Sequence, residues 1–204
     1  MLVIRQYRKI IAGNIYDQLK AHLKISSPAW QKPKVLPFVK IEDWNFSALK
    51  DGRCHYKDII TQTSLIPKLV FTSFEKACHF EYKFDSKTEK EFAYILENDT
   101  TVLKWLRPAP NQFRIYWASN SRRYYPDFIV ETYENIYLIE TKAANELESR
   151  EVQEKTAAAL RYCAYATAFT TANNGKAWKY LLIPHDQVTT TSSFEFLSGR
   201  YKAQ

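Results

Sequence analysis

The chain of 204 residues is 46% hydrophobic and 15% aromatic, and its 29 Lys and Arg exceed its 22 Asp and Glu to give a net charge of +7. This composition excludes disordered, low-complexity and collagen-like chains and predicts a packed, soluble and mildly basic globule. No apolar run approaches the roughly 20 residues of a membrane span, and charge interrupts the N-terminus too early for a signal peptide, so we expect a cytoplasmic protein with no membrane partner.

Residues 1–74 hold the whole excess of positive charge, with 12 Lys and Arg against 5 Asp and Glu, while residues 75–204 hold 17 of each. Apolar residues at helical spacing predict a basic amphipathic helix over the first 24 residues. After three prolines, residues 35–44 form the first predicted strand, followed by a polar stretch with no regular pattern. We therefore expect a basic N-terminal extension of residues 1–74, a core of residues 75–190 and a C-terminal tail of residues 191–204.

The pattern becomes regular from about Leu65. Ser86 and Glu89 form a capping box that opens a predicted helix. Strands are predicted at residues 69–74, 80–84, 113–117, 124–132, 136–142 and 178–183, with a long helix over about residues 147–166. The mixed order with a long crossover helix predicts an α/β fold with a central mixed sheet flanked by helices.

Asp127, Glu140 and Lys142 lie on the two strands of a predicted hairpin. A two-residue turn at 133–134 pairs Asp127 with Glu140, and a turn at 134–135 pairs Asp127 with Lys142. In either register the three residues share one face of the sheet. Because both faces of these strands are otherwise apolar, we expect the two carboxylates to be partly buried and to need a cation between them.

Oxygen ligands with room for water and phosphate suit Mg²⁺, and an ammonium beside them could orient or help deprotonate an attacking water or neutralise charge on the phosphoryl group. Asp127, Glu140 and Lys142 therefore indicate phosphodiester hydrolysis. The structural alternative is a buried cluster of ion pairs that stabilises two strands. Neither the four histidines nor the cysteines show the spacing of a zinc site or of a disulfide framework.

The segments Arg-Arg-Tyr-Tyr-Pro-Asp-Phe-Ile-Val at 122–130 and Tyr-Leu-Ile-Glu-Thr-Lys at 137–142 resemble the PD-(D/E)XK nuclease core. In detail they are similar to the C-terminal endonuclease region of the restriction subunits of type III restriction enzymes. The resemblance extends over about residues 66–186. It implies a restriction-endonuclease-like fold in which Asp127 and Glu140 bind Mg²⁺, with Mn²⁺ as an alternative, and Lys142 is catalytic.

The resemblance implies roles for further residues. Glu89 would support the metal from the first core helix, although the capping box explains this residue equally well. Gln153 and Lys155, at the start of the second core helix, would face the site or the DNA, and a solvated helix start is the alternative. Arg122 and Arg123 would hold phosphates beside the strand that leads to Asp127, although paired arginines on an exposed strand are commonly solvated.

Type III restriction subunits carry a helicase motor, but the four glycines of this chain do not form a Gly-x-x-x-x-Gly-Lys loop, so no ATP site is predicted. The resemblance thus implies a Mg²⁺-dependent endonuclease that cuts duplex DNA to a 5′-phosphate and a 3′-hydroxyl. A separate motor and a site-reading methyltransferase subunit would complete the restriction-modification system, with the basic extension contacting DNA or the motor. The alternative is a catalytically inactive module that keeps the fold and binds DNA or docks a helicase or methyltransferase.

Overall fold

A computed structural model of the protein describes residues 2–23, 40–43, 46, 52–110, 112–118 and 122–202. The chain divides into two compact units, Met1–Lys34 and Val35–Gln204. The first unit contains helix α1, Leu2–His22, as the helical spacing predicted. Most of the strand predicted at residues 35–44 lies outside the described residues, and residues 40–43 have no regular structure. Within the described ranges, no helix has both the length and the apolar character required to cross a bilayer.

The larger unit is an α/β fold. Its regular elements are, in chain order, β1 (Gly52–His55), β2 (Leu69–Thr72), α2 (Lys87–Asn98), β3 (Val102–Leu106), β4 (Ile115–Trp117), β5 (Arg122–Tyr124), β6 (Phe128–Thr132), β7 (Asn135–Lys142), α3 (Arg150–Ala172), β8 (Ala177–Pro184) and α4 (Phe194–Arg200). The central sheet has the strand order β3-β6-β7-β8. Strand β6 is antiparallel to β3 and β7, whereas β8 follows the crossover helix α3 and is parallel to β7. Strands β1 and β2 form a parallel pair, and β4 and β5 form an antiparallel ribbon.

Apolar side chains cover both faces of the central sheet. On one face Phe128 and Ile139 pack in a cluster with Phe92 of α2 and Phe194 of α4. On the other face Leu138 packs in a cluster that includes buried residues of α3 and of the β4–β5 ribbon. This arrangement confirms the predicted mixed sheet flanked by helices, and it explains why β6 and β7 are apolar on both faces.

The hairpin of β6 and β7 adopts one of the two predicted registers. Phe128 lies opposite Ile139 and Ile129 opposite Leu138, which places the turn at residues 133–134. The single strand predicted over residues 124–132 is wrong, since β5 ends at Tyr124 and β6 begins at Phe128. Pro126 lies between them and has no N–H to donate to a ladder, so the two strands can enter different sheets.

Other elements also differ from the sequence prediction. Strand β3 was not predicted, although it forms one edge of the central sheet, and β1 lies in the stretch that showed no regular pattern. Helix α3 begins at Arg150 because the Ser149 hydroxyl accepts a hydrogen bond from Val152 N–H and caps the helix. The segment predicted as a tail contains α4, whose Phe194 and Leu197 side chains are buried in the larger core.

Glu97 is a buried carboxylate that links α2 to neighbouring segments of the same polypeptide. Its oxygens accept hydrogen bonds from Trp105 Nε1 and Lys76 N–H, each at 2.8 Å, and from Glu75 N–H. We expect Glu97→Ala to lower the free energy of unfolding by about 3 kcal/mol, because three donors, including the buried Trp105 Nε1, would lose their acceptor. Urea unfolding measures this loss, and Glu134→Ala in the exposed hairpin turn should leave stability unchanged. Equal urea midpoints for the two variants would show that the hydrogen bonds of Glu97 do not stabilise the fold.

Candidate active site

Asp127 directly precedes β6 and is held by the hairpin. Its N–H donates to Ile139 O at 3.0 Å, which continues the β6–β7 pairing by one residue. Its Oδ2 accepts hydrogen bonds from Thr141 N–H at 2.8 Å and from the Thr141 hydroxyl at 3.0 Å. Burial raises the pKa of Asp127, and the charge of Glu89 adds to the increase against the lowering effect of Thr141 and Lys142. The carboxyl is therefore fixed in position, and burial makes its negatively charged form less favourable.

Glu140 and Lys142 lie two residues apart on β7 and contact each other as the predicted shared face requires. Lys142 Nζ is 2.8 Å from Glu140 Oε1, and the Glu140 side chain is only 7% exposed. Burial, with the charge of Asp127, raises the pKa of Glu140 to about 8, although Lys142 opposes the shift. Burial lowers the pKa of Lys142, but the attraction of Glu140 outweighs it and the net shift is upward. Lys142 is thus an ammonium at neutral pH.

The two observations on Glu140 favour different protonation states. Its contact with Lys142 favours the carboxylate, whereas burial favours the carboxylic acid. Burial is the larger effect, so the metal-free site should keep a proton on Glu140 at neutral pH. A divalent cation would release that proton by supplying the missing positive charge.

The raised pKa of Glu140 gives stability a definite pH dependence. Between its ordinary pKa of 4.5 and the folded value of about 8, the folded state holds a proton that the unfolded state has lost. We therefore expect the free energy of unfolding of the metal-free protein to fall as pH rises through this window, by up to about 1.4 kcal/mol per pH unit. Urea titrations across the window measure the slope. Glu140→Gln should remove this part of it, and an identical slope in that variant would contradict the assignment.

Glu89 combines a capping role with a position near Asp127. It forms half of the predicted capping box, since Glu89 N–H donates to Ser86 Oγ at 3.1 Å. Its side chain does not close the box on Ser86 N–H, because Glu89 Oε2 accepts instead from Asp85 N–H, one residue before the N-cap, at 2.7 Å. The same Oε2 also pairs with Arg107, whose other nitrogen is 2.6 Å from Asp85 Oδ2. The charge of Glu89 contributes to raising the pKa of Asp127, so the two carboxyls are within electrostatic reach of each other. The capping and metal-supporting interpretations are therefore compatible.

Each of the three carboxyls uses one oxygen and leaves the other available. Asp127 Oδ2, Glu140 Oε1 and Glu89 Oε2 have the partners given above, and among the described residues no hydrogen bond reaches Asp127 Oδ1, Glu140 Oε2 or Glu89 Oε1. Glu140 Oε2 is also buried. Available carboxylate oxygens fit a hard divalent cation. In the described part of the chain, no three Asp, Glu, His or Cys side chains are grouped closely enough to form a complete metal site. The protein would therefore supply only part of the coordination shell of an ion.

Tyr124 lies close to Glu140 on the buried side of the site. Its hydroxyl is buried and, like Glu140 Oε2, has no partner at full hydrogen-bond geometry among the described residues. The hydroxyl is nevertheless near enough to Glu140 and Tyr180 for hydrogen bonding to affect their pKa values. Burial raises the pKa of Tyr124 well above its usual value, and the charge of Glu140 raises it further, while the hydroxyl lowers the pKa of Glu140. Tyr124 therefore keeps its proton and can offer it to Glu140 without competing for a cation.

Arg122 and Lys155 meet at Glu151, at the start of α3. Lys155 Nζ is 2.7 Å from a Glu151 oxygen and the Arg122 guanidinium is 3.9 Å from one. Both cations also lie over the Trp117 ring, at 5.3 and 5.4 Å from its centroid. Hydrogen bonding from Lys155 lowers the pKa of Glu151, and the charge of Lys142 contributes to the shift. The cluster therefore lies within electrostatic reach of Lys142.

Arg123 and Gln153 do not belong to the cluster of Arg122, Lys155 and Glu151. Arg123 is exposed, on the opposite face of β5 from Arg122, and lies 6.0 Å over the Tyr116 ring. Gln153 is exposed, and its amide donates to Leu147 O at 2.8 Å, within the turn that precedes α3. The structure thus brings together Asp127, Glu140, Lys142 and Glu89, and separately Arg122 and Lys155. Whether any of them acts on DNA stays a prediction.

Sequence reasoning missed two residues that hold the site. Thr141 occupies the variable position between Glu140 and Lys142, and its hydroxyl gives the only sequence signal, a donor that could reach a neighbouring carboxylate. Arg107 follows β3, a strand that was not predicted, and no local pattern connects it with Glu89. Both residues fix a carboxyl through hydrogen bonds that only the tertiary fold creates.

The segment that contains Asp127, Glu140 and Lys142 also matches a known family. Residues 99–166 match the TnsA-like endonuclease N-terminal family. This family is of the PD-(D/E)XK type and has the restriction-endonuclease-like fold. The match covers about a third of the chain, and no curated protein matches the chain.

The family match supports a broader assignment than the resemblance to type III restriction subunits. It supports a nuclease of the restriction-endonuclease-like superfamily, with DNA as its substrate, but it does not single out type III restriction enzymes. PD-(D/E)XK nucleases generally depend on divalent metal ions. The matched residues run from β3 through most of α3 and so include the whole hairpin, whereas Glu89 lies before them.

Proposed function

We propose that this protein is a Mg²⁺-dependent endonuclease that hydrolyses phosphodiester bonds in duplex DNA. Asp127 and Glu140 would hold the ion, Glu89 would support it and Lys142 would be the catalytic lysine. The observation that carries the proposal is the 2.8 Å contact between Lys142 and the buried Glu140, beside Asp127, within the segment that matches an endonuclease family. An ammonium and a carboxyl pair at one end of a hairpin are suited to phosphoryl chemistry.

The residues of the site would divide the chemistry among them. Bound Mg²⁺ would supply the positive charge that polarises the phosphoryl oxygen. Lys142 Nζ, held at Glu140, would orient the attacking water and stabilise the negative charge that develops on the phosphoryl oxygens. Thr141 would keep Asp127 from rotating away, since it donates two hydrogen bonds to the same oxygen.

The biological setting is the finer part of the proposal. The resemblance to type III restriction subunits supports a nuclease part of such a system, with a helicase motor and a methyltransferase subunit on other chains. The basic residues 1–74 would contact DNA or that motor, since they carry all of the net charge. Arg122, Lys155 and Gln153 would line the DNA path next to the site.

Plasmid cleavage tests the reaction. Supercoiled plasmid is incubated with the protein in Mg²⁺, in Mn²⁺ and in EDTA, beside Asp127→Asn and the control Asp186→Asn, an exposed residue after β8. We expect nicked or linear plasmid with either metal, none in EDTA, and loss of cleavage in Asp127→Asn alone.

Metal binding distinguishes the alternatives when no cleavage is seen. If Mg²⁺ raises the unfolding midpoint of the wild type but not of Asp127→Asn, without cleavage under any condition, the protein is a metal-binding module that does not cut DNA by itself. If Mg²⁺ and Mn²⁺ change neither stability nor plasmid, Asp127, Glu140 and Lys142 form a structural ion-pair cluster and the proposal is wrong.

A further inference from the structure

The β4–β5 ribbon has two faces of different character. Tyr116 lies opposite Arg123, Trp117 opposite Arg122 and Ile115 opposite Tyr124. The inward face carries Ile115, Trp117 and Tyr124, which are buried in the core cluster that also contains residues of α3. Because side chains alternate along a strand, the outward face carries Tyr116 and Arg123. The same alternation, continued by one residue at each open end, adds Arg114 and Tyr125.

The outward face combines arginine with exposed tyrosine. Tyr116 and Tyr125 are 47% and 42% exposed, and Arg114 and Arg123 are exposed. The Arg123 guanidinium lies 6.0 Å over the Tyr116 ring. No acidic residue occurs in the described parts of this ribbon, residues 112–118 and 122–125. The inward Arg122 shares Glu151 with Lys155. Without acidic residues, the described parts of the ribbon carry a net positive charge.

Duplex DNA fits this surface better than other partners. Guanidinium groups are suited to bidentate contact with phosphates, and a two-stranded ribbon is narrow enough to lie against a DNA groove. Tyrosine rings beside the arginines add flat contact area with a polar tip. The combination of charge and shape favours a polyanionic duplex over an acidic protein surface.

The ribbon is also close to the proposed catalytic residues along the chain. Only Pro126 separates Tyr125 from Asp127, and Arg123 is four residues before Asp127. Four extended residues span at most about 14 Å, less than half of one turn of duplex DNA. A duplex that contacts Arg123 would therefore pass within reach of the carboxyl pair.

We propose that the outward face of the β4–β5 ribbon, formed by Arg114, Tyr116, Arg123 and Tyr125, binds the phosphate backbone of duplex DNA beside the cleavage site. This inference rests on the proposed function, because the catalytic residues define where the duplex would be cut. The proposal also distinguishes the roles of the two neighbouring arginines. Arg123 contacts DNA from the outer face, whereas Arg122 lies on the inner face, where it also pairs with Glu151 at the start of α3.

Binding is measured by fluorescence anisotropy with a short labelled duplex in EDTA, so that cleavage plays no part. The variants are Arg123→Ala, Arg114→Ala and their combination. Arg200→Ala is a matched control, because Arg200 is exposed and also lies over a tyrosine ring, 5.8 Å from that of Tyr201. We expect Kd to rise about tenfold for each ribbon arginine and the salt slope of log K to fall by about 0.9 for each. Arg200→Ala should bind as the wild type does.

Three results would overturn the inference. They are a double variant with the Kd and salt slope of Arg200→Ala, a wild type that binds no duplex, and a wild type that prefers single-stranded DNA. Arg123→Lys keeps the charge and should retain the salt slope, which separates lost contact from lost folding. Because the assay contains no metal, weaker binding of the ribbon variants supports this surface even if the plasmid assay shows no cleavage and removes the proposed function.

Discussion

Replacing Glu140 by Gln is expected to abolish stabilisation by Mg²⁺ and to lower DNA cleavage by at least about 10³-fold. Gln keeps the size of the side chain but cannot carry the negative charge that holds a divalent cation. Glu140 is the most buried of the predicted ligands and contacts Lys142 directly, so its loss affects both the ion and the lysine.

The metal-free protein should respond differently to the same change. Burial makes the Glu140 carboxylate costly, as its pKa of about 8 indicates. Above pH 8 Glu140→Gln should therefore be at least as stable as the wild type, because the folded wild type must then carry a buried charge. A loss of Mg²⁺ response without a loss of stability would distinguish a metal ligand from a structural ion pair.

Thermal unfolding with and without Mg²⁺ provides the measurement. A ligand at 100 times its Kd adds about 2.7 kcal/mol to the stability of a protein that binds it only when folded. We expect this gain in the wild type and in Glu134→Gln, an exposed control in the turn of the same hairpin, but not in Glu140→Gln. An equal gain in all three proteins would mean that the ion binds elsewhere.

The sequence was sufficient to predict the hairpin because its information is local. A strand alternates with period two and a tight turn allows few registers, so Glu140 and Lys142 had to share a face once the two strands were recognised. Pro126 marks the boundary between β5 and β6 in the sequence. The apolar pattern on both sides of it nevertheless predicts a single strand, and this prediction is wrong. The opposite directions of Arg122 and Arg123 follow from the same alternation, yet only the pairing of β4 with β5 shows which of the two faces the protein.

Contacts between distant segments could not be predicted in this way. Arg107 meets Glu89 and Asp85 across about 20 residues of chain, after a strand with no clear alternation. Likewise, Arg122 of β5 reaches Glu151 of α3 only because α3 packs against the ribbon, whereas Lys155 lies one helical turn from Glu151 on the same helix. Such pairs are set by tertiary packing, which one sequence without its relatives does not encode in any short pattern.

Replacing Lys142 by Met should separate catalysis from metal binding. We expect cleavage to fall by about 10²- to 10³-fold, because the site loses the donor that orients water and the charge that stabilises the transition state. Stabilisation by Mg²⁺ should persist or increase, since Asp127 and Glu140 remain and a neighbouring positive charge is gone. Without metal, the pKa of Glu140 should rise further, because Lys142 is the cation that lowers it.

Lys155→Met is the matched control, because Lys155 also contacts a glutamate, Glu151, at 2.7 Å, but Glu151 is exposed whereas Glu140 is buried. It should cleave with a rate constant close to that of the wild type once DNA is saturating, since a surface ion pair contributes little to the fold or to the reaction. Single-turnover cleavage of a bound duplex measures the step directly. If Lys142→Met cleaves as fast as Lys155→Met, Lys142 only neutralises Glu140. If Lys142→Met loses the response to Mg²⁺ as Glu140→Gln does, the ammonium organises the carboxyl pair instead of acting on the water.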